Sequence, residues 1–306
     1  MPMSKLAVLL PALLLCSSAS AANVVTVQQG GVARWSGMAA KKCGVYGKRY
    51  PAVDSVCYYP VDIQTRPGSH QIALWDQDGK QHAGVLSVQK ADFPKVDMPL
   101  PEKLDRFLHM SPEDTARASK ERAEVAKILA GSDEAPRFSL PLGAPAAKLP
   151  KSQDDFGSDR VFDKDHTSLH SGRDYPVPAG NSVKAVADGT VLLAAEHFFT
   201  GNAVYIDHGD GLVSMNFHLA SIAVKEGDQV KRGQAIGKIG GTGRATGPHL
   251  HLGFRWLGKR IDPALLLANP TLLPAVSDSR EEAQKKIDKA EHREPAETDA
   301  PVDDEG

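Results

Sequence analysis

The chain has 306 residues, 41% of them hydrophobic, which is enough for one large or two small packed domains. Its 36 Lys and Arg stand against 38 Asp and Glu, a formal net charge of −2. That balance argues against a nucleic-acid partner, since such domains present a strongly basic face.

The first 22 residues have Lys5, an apolar run from Leu6 to Leu15, and small residues ending at Ala19, Ser20 and Ala21. This is the pattern of a secretory signal peptide, with cleavage near Ala21 or Ala22. The apolar run is too short for a membrane span. Leu15 stands before Cys16, where a lipidated cysteine would want a small residue. The expected product is an exported protein, periplasmic or secreted, with no transmembrane segment. Past the signal, Cys43 and Cys57 are the only cysteines. In an oxidising compartment they would most simply pair. Closing a loop of roughly 15 residues is worth about 3 kcal/mol in the chain-entropy description.

Residues 23–95 read as a small all-β domain carrying that disulfide: VVTVQ, VDIQ and HQIALWDQDGKQHAGVLSVQ are β-like runs. The last is a hairpin pattern, with Asp78-Gly79 at its turn. Residues 96–153 read as a connector. Within it Ser111 can cap a helix that has Pro112 at its first position and Gly131 beyond its end, which predicts a helix over 112–130. Its apolar face is mostly alanine, as suits a packed connector. Prolines at 136, 141, 145 and 150 predict an extended linker over 135–153.

From 154 to 274 the texture is short Val/Ile-rich strands broken by glycines, an antiparallel β pattern with little helix. Two segments echo each other there, AGNSVKAVADGTVLLA and EGDQVKRGQAIGKIGG. The fold expected for the whole chain is therefore mainly β. Residues 275–306 lose nearly all apolar content and turn acidic, which predicts a solvated, disordered tail.

Four features of the second half carry chemistry. In HSGRD, His170 and Asp174 are four apart; Gly172, Pro176 and Pro178 argue against a helix, and on a strand the two would share a face. His218 stands in the apolar run LVSMNFHL. In HLH, His249 and His251 must project to one side of a strand while Leu250 points to the other. The glycine-rich GGTGRATGP before it lacks the GK[ST] ending of a phosphate-cradling loop and reads as a tight turn delivering HLH. His166, His197 and His208 lack a partner pattern and read as structural. Together, HxxxD, FHL and HxH in one compact β segment of an exported protein point to a zinc site.

HSGRD, the FHL run and TGRATGPHLHLGF resemble the M23 family of zinc metallopeptidases, the LytM or lysostaphin-like endopeptidases. AVADGTV, GNAVYIDHGDGL and VKEGDQVKRGQAIGKIGGTG match the framework of that family, and the resemblance covers about residues 156–267. It implies an antiparallel β-sheet catalytic domain of LytM type. It also implies Zn2+ held by His170, Asp174 and His251, with His218 and His249 as the catalytic pair beside the metal. Spacing alone does not say which histidine of HLH is the ligand. Three protein ligands leave a position for a water whose pKa the metal lowers toward ~7, with histidine in the proton-handling part. No HExxH occurs, so the glutamate base of helical zinc proteases is absent. One departure is Asn216, where family members commonly have tyrosine two residues before the equivalent of His218.

The resemblance further implies a peptidoglycan substrate, its stem peptides or cross-bridges being cut by metal-activated water. The N-terminal β domain would then be a positioning or autoinhibitory element. Three other readings stand beside it. The first is a LytM-like protein without activity that stimulates cell-wall amidases; all five site positions are kept, which weighs against it. The second is a biotinyl or lipoyl carrier, and no lysine stands in a modification context. The third, a secreted protease acting on proteins, would use the same residues.

Overall fold

The computed structural model describes residues 23–129, 135–152 and 156–276. The expected signal segment 1–22, Ala130 and Gly131 at the end of the expected helix, and the tail beyond 276 lie outside the described residues. Among the described residues no helix is long and apolar enough to cross a membrane.

The N-terminal part contains β1 (Asn23–Gln28), β2 (Val32–Trp35), β3 (Ala40–Val45), β4 (Lys48–Pro51), β5 (Cys57–Pro60), β6 (Gly68–Asp76) and β7 (Gln81–Gln89). Five of them form a sheet in the order β1-β7-β6-β3-β4, and β2 pairs with β5 separately. Alternation decides which face is buried: Val25, Val27, Ile72, Leu74, Leu86 and Val88 turn into one core. Cys43 of β3 and Cys57 of β5 form a disulfide. Asp78 and Gly79 lie at the β6–β7 turn, where Asp76 Oδ1 accepts from the amides of Asp78 and Lys80. VDIQ is not a strand. Asp62 caps its own turn, accepting from the Gln64 amide at 2.9 Å, and a side chain that bonds its own backbone competes with sheet formation.

β8 (Lys95–Asp97) pairs in parallel with β9 (Asp159–Val161), which in turn pairs antiparallel with β10 (Thr167–Leu169). The expected boundary at 95/96 thus falls inside a strand. The helix α1 (Pro112–Ile128) is capped by Ser111 Oγ, which accepts from the Asp114 amide. It ends slightly before the expected position, with Leu129 as its cap residue. Residues 135–152 are extended but do not form a free linker. Phe138, Leu142 and Ala146 are buried in the main core, and the amides of Leu142 and Gly143 donate to Leu266 and Val186. The apolar residues between the prolines set this, and the Arg137 amide likewise donates to the His208 carbonyl, as burial of backbone favours.

The main sheet has nine strands: β11 (Gly172–Tyr175), β12 (Ser182–Lys184), β13 (Gly189–His197), β14 (Gly201–Asp207), β15 (Leu212–Ile222), β16 (Gln229–Val230), β17 (Ala235–Ile239), β18 (Leu250–Trp256) and β19 (Lys259–Ile261). The order is β11-β18-β15-β14-β13-β16; β17 joins β12 to β15, and β19 lies on β18. The two echoing sequence segments clasp each other, β12 on β17 and β13 on β16. A short helix, α2 (Pro263–Leu267), closes the unit.

The two faces of this sheet do different things. Leu250, Leu252, Phe254 and Trp256 alternate to one side, each fully buried. Val32 and Tyr58 of the N-terminal part join the same hydrophobic cluster, and the Tyr58 ring lies 5.8 Å from Trp256. Arg260 pairs with Asp62 at 2.7 Å. The β2–β5 pair of the N-terminal part therefore shares a core with the larger sheet. On the opposite face, Leu193, Tyr205, Val213 and Met215 are covered by Val125, Ile128 and Leu129 at the end of the helical connector. Further along that same face is the histidine cluster.

Candidate active site

Antiparallel register sets Asp174 of β11 opposite His251 of β18, and His251 opposite Phe217 of β15. Facing residues in a ladder share a side, so these three converge. His170 enters from the short link between β10 and β11. His251 Nδ1 is 2.9 Å from Asp174 Oδ1 and 3.0 Å from His170 Nε2. The remaining edge, His170 Nε2 to Asp174 Oδ1, is 3.3 Å. Nitrogen and oxygen donors at about 2.0–2.2 Å from a tetrahedral metal lie roughly 3.3 Å apart, so this triangle suits one ion with little adjustment. Gly172 makes room for it: a Cβ there would sit 2.5 Å from His251 Nε2. Phe217 stacks flat on the His251 ring at 5.0 Å.

His218 and His249 stand beside the triangle, with ring centres 4.9 Å apart. His218 belongs to β15 but has φ 62°, at a register shift between β14 and β15. This left-handed kink turns its ring onto the face that Phe217 already occupies, a place where strict alternation would not put it. His218 Nδ1 lies 2.8 Å from the Thr242 carbonyl, and His249 Nδ1 lies 2.9 Å from the Gly247 carbonyl. A carbonyl only accepts, so in both rings Nδ1 carries the proton and Nε2 presents a lone pair. His249 Nε2 is 3.6 Å from Asp174 Oδ1.

The electrostatics follow from burial. Burial alone would raise the Asp174 carboxyl, but hydrogen bonds from His170 and His251, and the charges these rings take, hold it well below the usual carboxylate range. Burial, and then the neighbouring His251 and His249, push His218 down to about 3, so it is uncharged at neutral pH. His251 is likewise lowered, chiefly by burial.

All five expected residues line one open cavity of about 360 Å³. His166, His197 and His208 lie elsewhere. His166 bonds Asp163, His197 faces Glu124 at 3.4 Å, and His208 is fully buried. Asn216 is buried, its amide directed to the Val204 carbonyl at 3.4 Å, and it is not part of the cavity wall. Several wall residues had no sequence signal. Arg160 donates to Asp174 Oδ2 at 2.7 Å and lies 3.0 Å from His170 Nδ1. Arg244, Phe162 and Phe199 form a second wall, and Met98 and Leu100 reach the rim from beyond β8. Only the GRATG run around Arg244 stood out in the sequence, and there it read as a turn.

The sequence profile of peptidase family M23 matches residues 168–263, which span the whole cluster. Peptidoglycan DD-endopeptidase ShyC of Vibrio cholerae is 47% identical over 85 residues, 28% of this chain and 20% of that protein. DD-carboxypeptidase/endopeptidase Mpg of Neisseria meningitidis is 41% identical over 108 residues, 35% of this chain and 25% of that one. The chain thus spans about a quarter or less of the length of these curated relatives. A crystal structure assigned to peptidase M23 from Pseudomonas aeruginosa superposes with a TM-score of 0.59 at 29% identity, covering 78% of this chain and 94% of that one. That coverage extends well beyond 168–263, so the architecture held in common includes more than the matched segment. By sequence and by fold, the chain carries a domain of peptidase family M23.

Proposed function

We propose that the protein is a zinc-dependent endopeptidase that hydrolyses peptide cross-links or stem peptides of bacterial peptidoglycan. One observation carries this reading: an imidazole–carboxylate–imidazole triangle and two further histidines with outward lone pairs share a single open cavity. His170, Asp174 and His251 would hold the metal. The donor set of two nitrogens and one oxygen is one zinc accepts, and it leaves the open coordination position of a catalytic site. When bound, the metal supplies a Lewis acid and lowers the pKa of water toward ~7.

The chain's own residues do the rest. Thr242 and Gly247 fix the tautomers of His218 and His249, so each offers Nε2 to accept a proton from the attacking water and return it to the leaving amine. Arg160 holds the second oxygen of Asp174, which keeps Oδ1 aimed at the two ligand histidines. The relatives named as peptidoglycan DD-endopeptidases support the substrate class, and with it an exported, periplasmic or secreted location. The N-terminal part, whose β2–β5 pair packs into the main core, acts as a positioning element for the catalytic face.

The test is digestion of isolated peptidoglycan by the purified chain, with and without a chelator, the soluble products being identified by mass spectrometry. Conversion of cross-linked dimers to monomers that chelation stops and zinc restores is the expected result. Intact dimers in the presence of zinc-loaded protein would overturn it and favour an activator of other wall hydrolases.

A further inference from the structure

We propose that Arg244 is the anion-recognition residue of this cavity, binding a free carboxylate on the substrate carbon attached to the scissile amide nitrogen. The identity of that carboxylate rests on the peptidoglycan reading above; the presence of a built anion site does not.

The two arginines of the cavity are in unlike situations. Arg160 is matched by the carboxylate of Asp174 at 2.7 Å. Arg244 has no such partner: among the described residues no carboxylate lies within ion-pair distance of it. Its guanidinium carbon lies over the rings of Phe162, at 4.5 Å, and Phe199, at 5.0 Å. Its one side-chain hydrogen bond is to Ser168 Oγ, long at 3.4 Å. The backbone is fixed as well, the Arg244 amide donating to the Phe199 carbonyl at 2.9 Å. Burial, and then the charge of Arg160, lower the basicity of Arg244 to about 10, which still leaves it a cation at neutral pH. The two ring faces offset part of the cost of shielding this cation, but they leave its N–H fork without an acceptor of opposite charge among the described residues. Such a group is complementary to a ligand that brings the missing charge.

Chemistry selects the ligand. Arginine's planar fork suits a carboxylate bound through two oxygens, and its position on an aromatic wall pre-orients it. A peptide bond between two D-amino acids, whether at the end of a stem peptide or in a cross-link through the D-centre of a diamino acid, has a free carboxylate next to the scissile nitrogen. Arg244 precedes His249 by only five residues in the same loop, and both face the cavity. A substrate whose carbonyl sits at the metal triangle and whose amine side runs along the Phe162–Phe199 wall would meet Arg244 as its anchor. A neutral glycyl bridge has no such carboxylate, so the same residue would separate these substrate classes.

The test is binding, with N-acetyl-D-alanyl-D-alanine and its C-terminal amide as probes. The zinc-loaded full chain carries His249→Ala so that neither probe is consumed. The free acid is expected to bind at least about tenfold more tightly than the amide, as a charge-assisted hydrogen-bond pair implies. Adding Arg244→Met should bring the two within about twofold, and Arg244→Lys, which keeps the charge but not the fork, should fall between. If the methionine variant does not fold, the lysine variant alone decides, through at least a threefold drop in the ratio. Equal binding of the two probes, or a preference that survives loss of Arg244, would overturn the assignment. Failure of wall digestion with this preference intact would instead overturn the substrate reading and leave the anion site standing.

Discussion

Two buried histidines, one shortly before β15 and one within it, show what separates a structural imidazole from one available for chemistry. His208, just before the strand, is fully enclosed and uses both nitrogens, Nδ1 on the Asp188 carbonyl at 2.8 Å and Nε2 on Ser214 Oγ at 2.9 Å. His218 is 9% exposed and uses one, Nδ1 on the Thr242 carbonyl, while Nε2 looks into the cavity. Burial depresses both, to about 4 and about 3, so a low pKa does not tell them apart. The unused nitrogen does, together with a cavity for it to face. Near His208, Asp210 makes the opposite point. It is a carboxyl pushed up to about 7, by burial first, with only Trp256 Nε1 at 3.3 Å to offset that cost.

The strongest way to break this comparison is at the triangle itself. His251→Ala should empty the metal site and lower activity at least about a thousandfold, with zinc content measured by atomic emission. A full complement of zinc in that variant would remove His251 from the ligand set. Next come the two histidines with open nitrogens. His249→Ala, and His218→Asn, which tolerates the left-handed backbone, should lose about 10²–10⁴ in rate while retaining most of the metal. Loss of zinc along with rate in His249→Ala would make it a ligand instead.

His208→Ala sharpens the contrast from the other end. It should cost about 2–4 kcal/mol of stability in urea unfolding, since it leaves a cavity and two orphaned polar groups. Zinc affinity of the folded fraction should not change. An effect of similar size, visible only at high pH, lies in the pH dependence. Asp210 binds its proton more tightly folded than unfolded, so its contribution is complete below the unfolded value of 3.8 and is lost as pH rises through about 7. His208 runs the other way: its contribution is complete above 6.5 and is lost as pH falls through about 4. Asp210→Asn resembles the protonated acid and suits the residue's φ of 49°. It should match the parent near pH 4 and exceed it by a few kcal/mol at pH 8. Parallel melting curves across that range would show that Asp210 ionises freely.

The chain's local patterns were enough for a good part of this. Period-two alternation placed Leu250 in the core and His251 on the other face, and Asp78-Gly79 marked its hairpin, because these depend on neighbours a few residues apart. The five residues that share the cavity were legible as motifs, and it is the family likeness rather than spacing that proposes different roles for His249 and His251. The extended run with prolines at 136, 141, 145 and 150 looked like a linker, since nothing local shows that Phe138 and Leu142 meet the far side of a sheet. VDIQ looked like a strand, because the turn that Asp62 makes is held from Arg260, 198 positions away.

By itself, then, the sequence determined the β character, the histidine and aspartate set, and the faces of regularly alternating strand residues such as Leu250 and His251. Only the tertiary structure decided that Asp174 and Phe217 flank His251, that a kink turns His218 into the cavity, and that among the described residues Arg160 has a counter-charge while Arg244 does not. The physical reason is range. Strand periodicity is written in backbone geometry between adjacent residues, whereas register, shared cores and charge balance are settled by which distant strands pair, and no short window of sequence contains both partners.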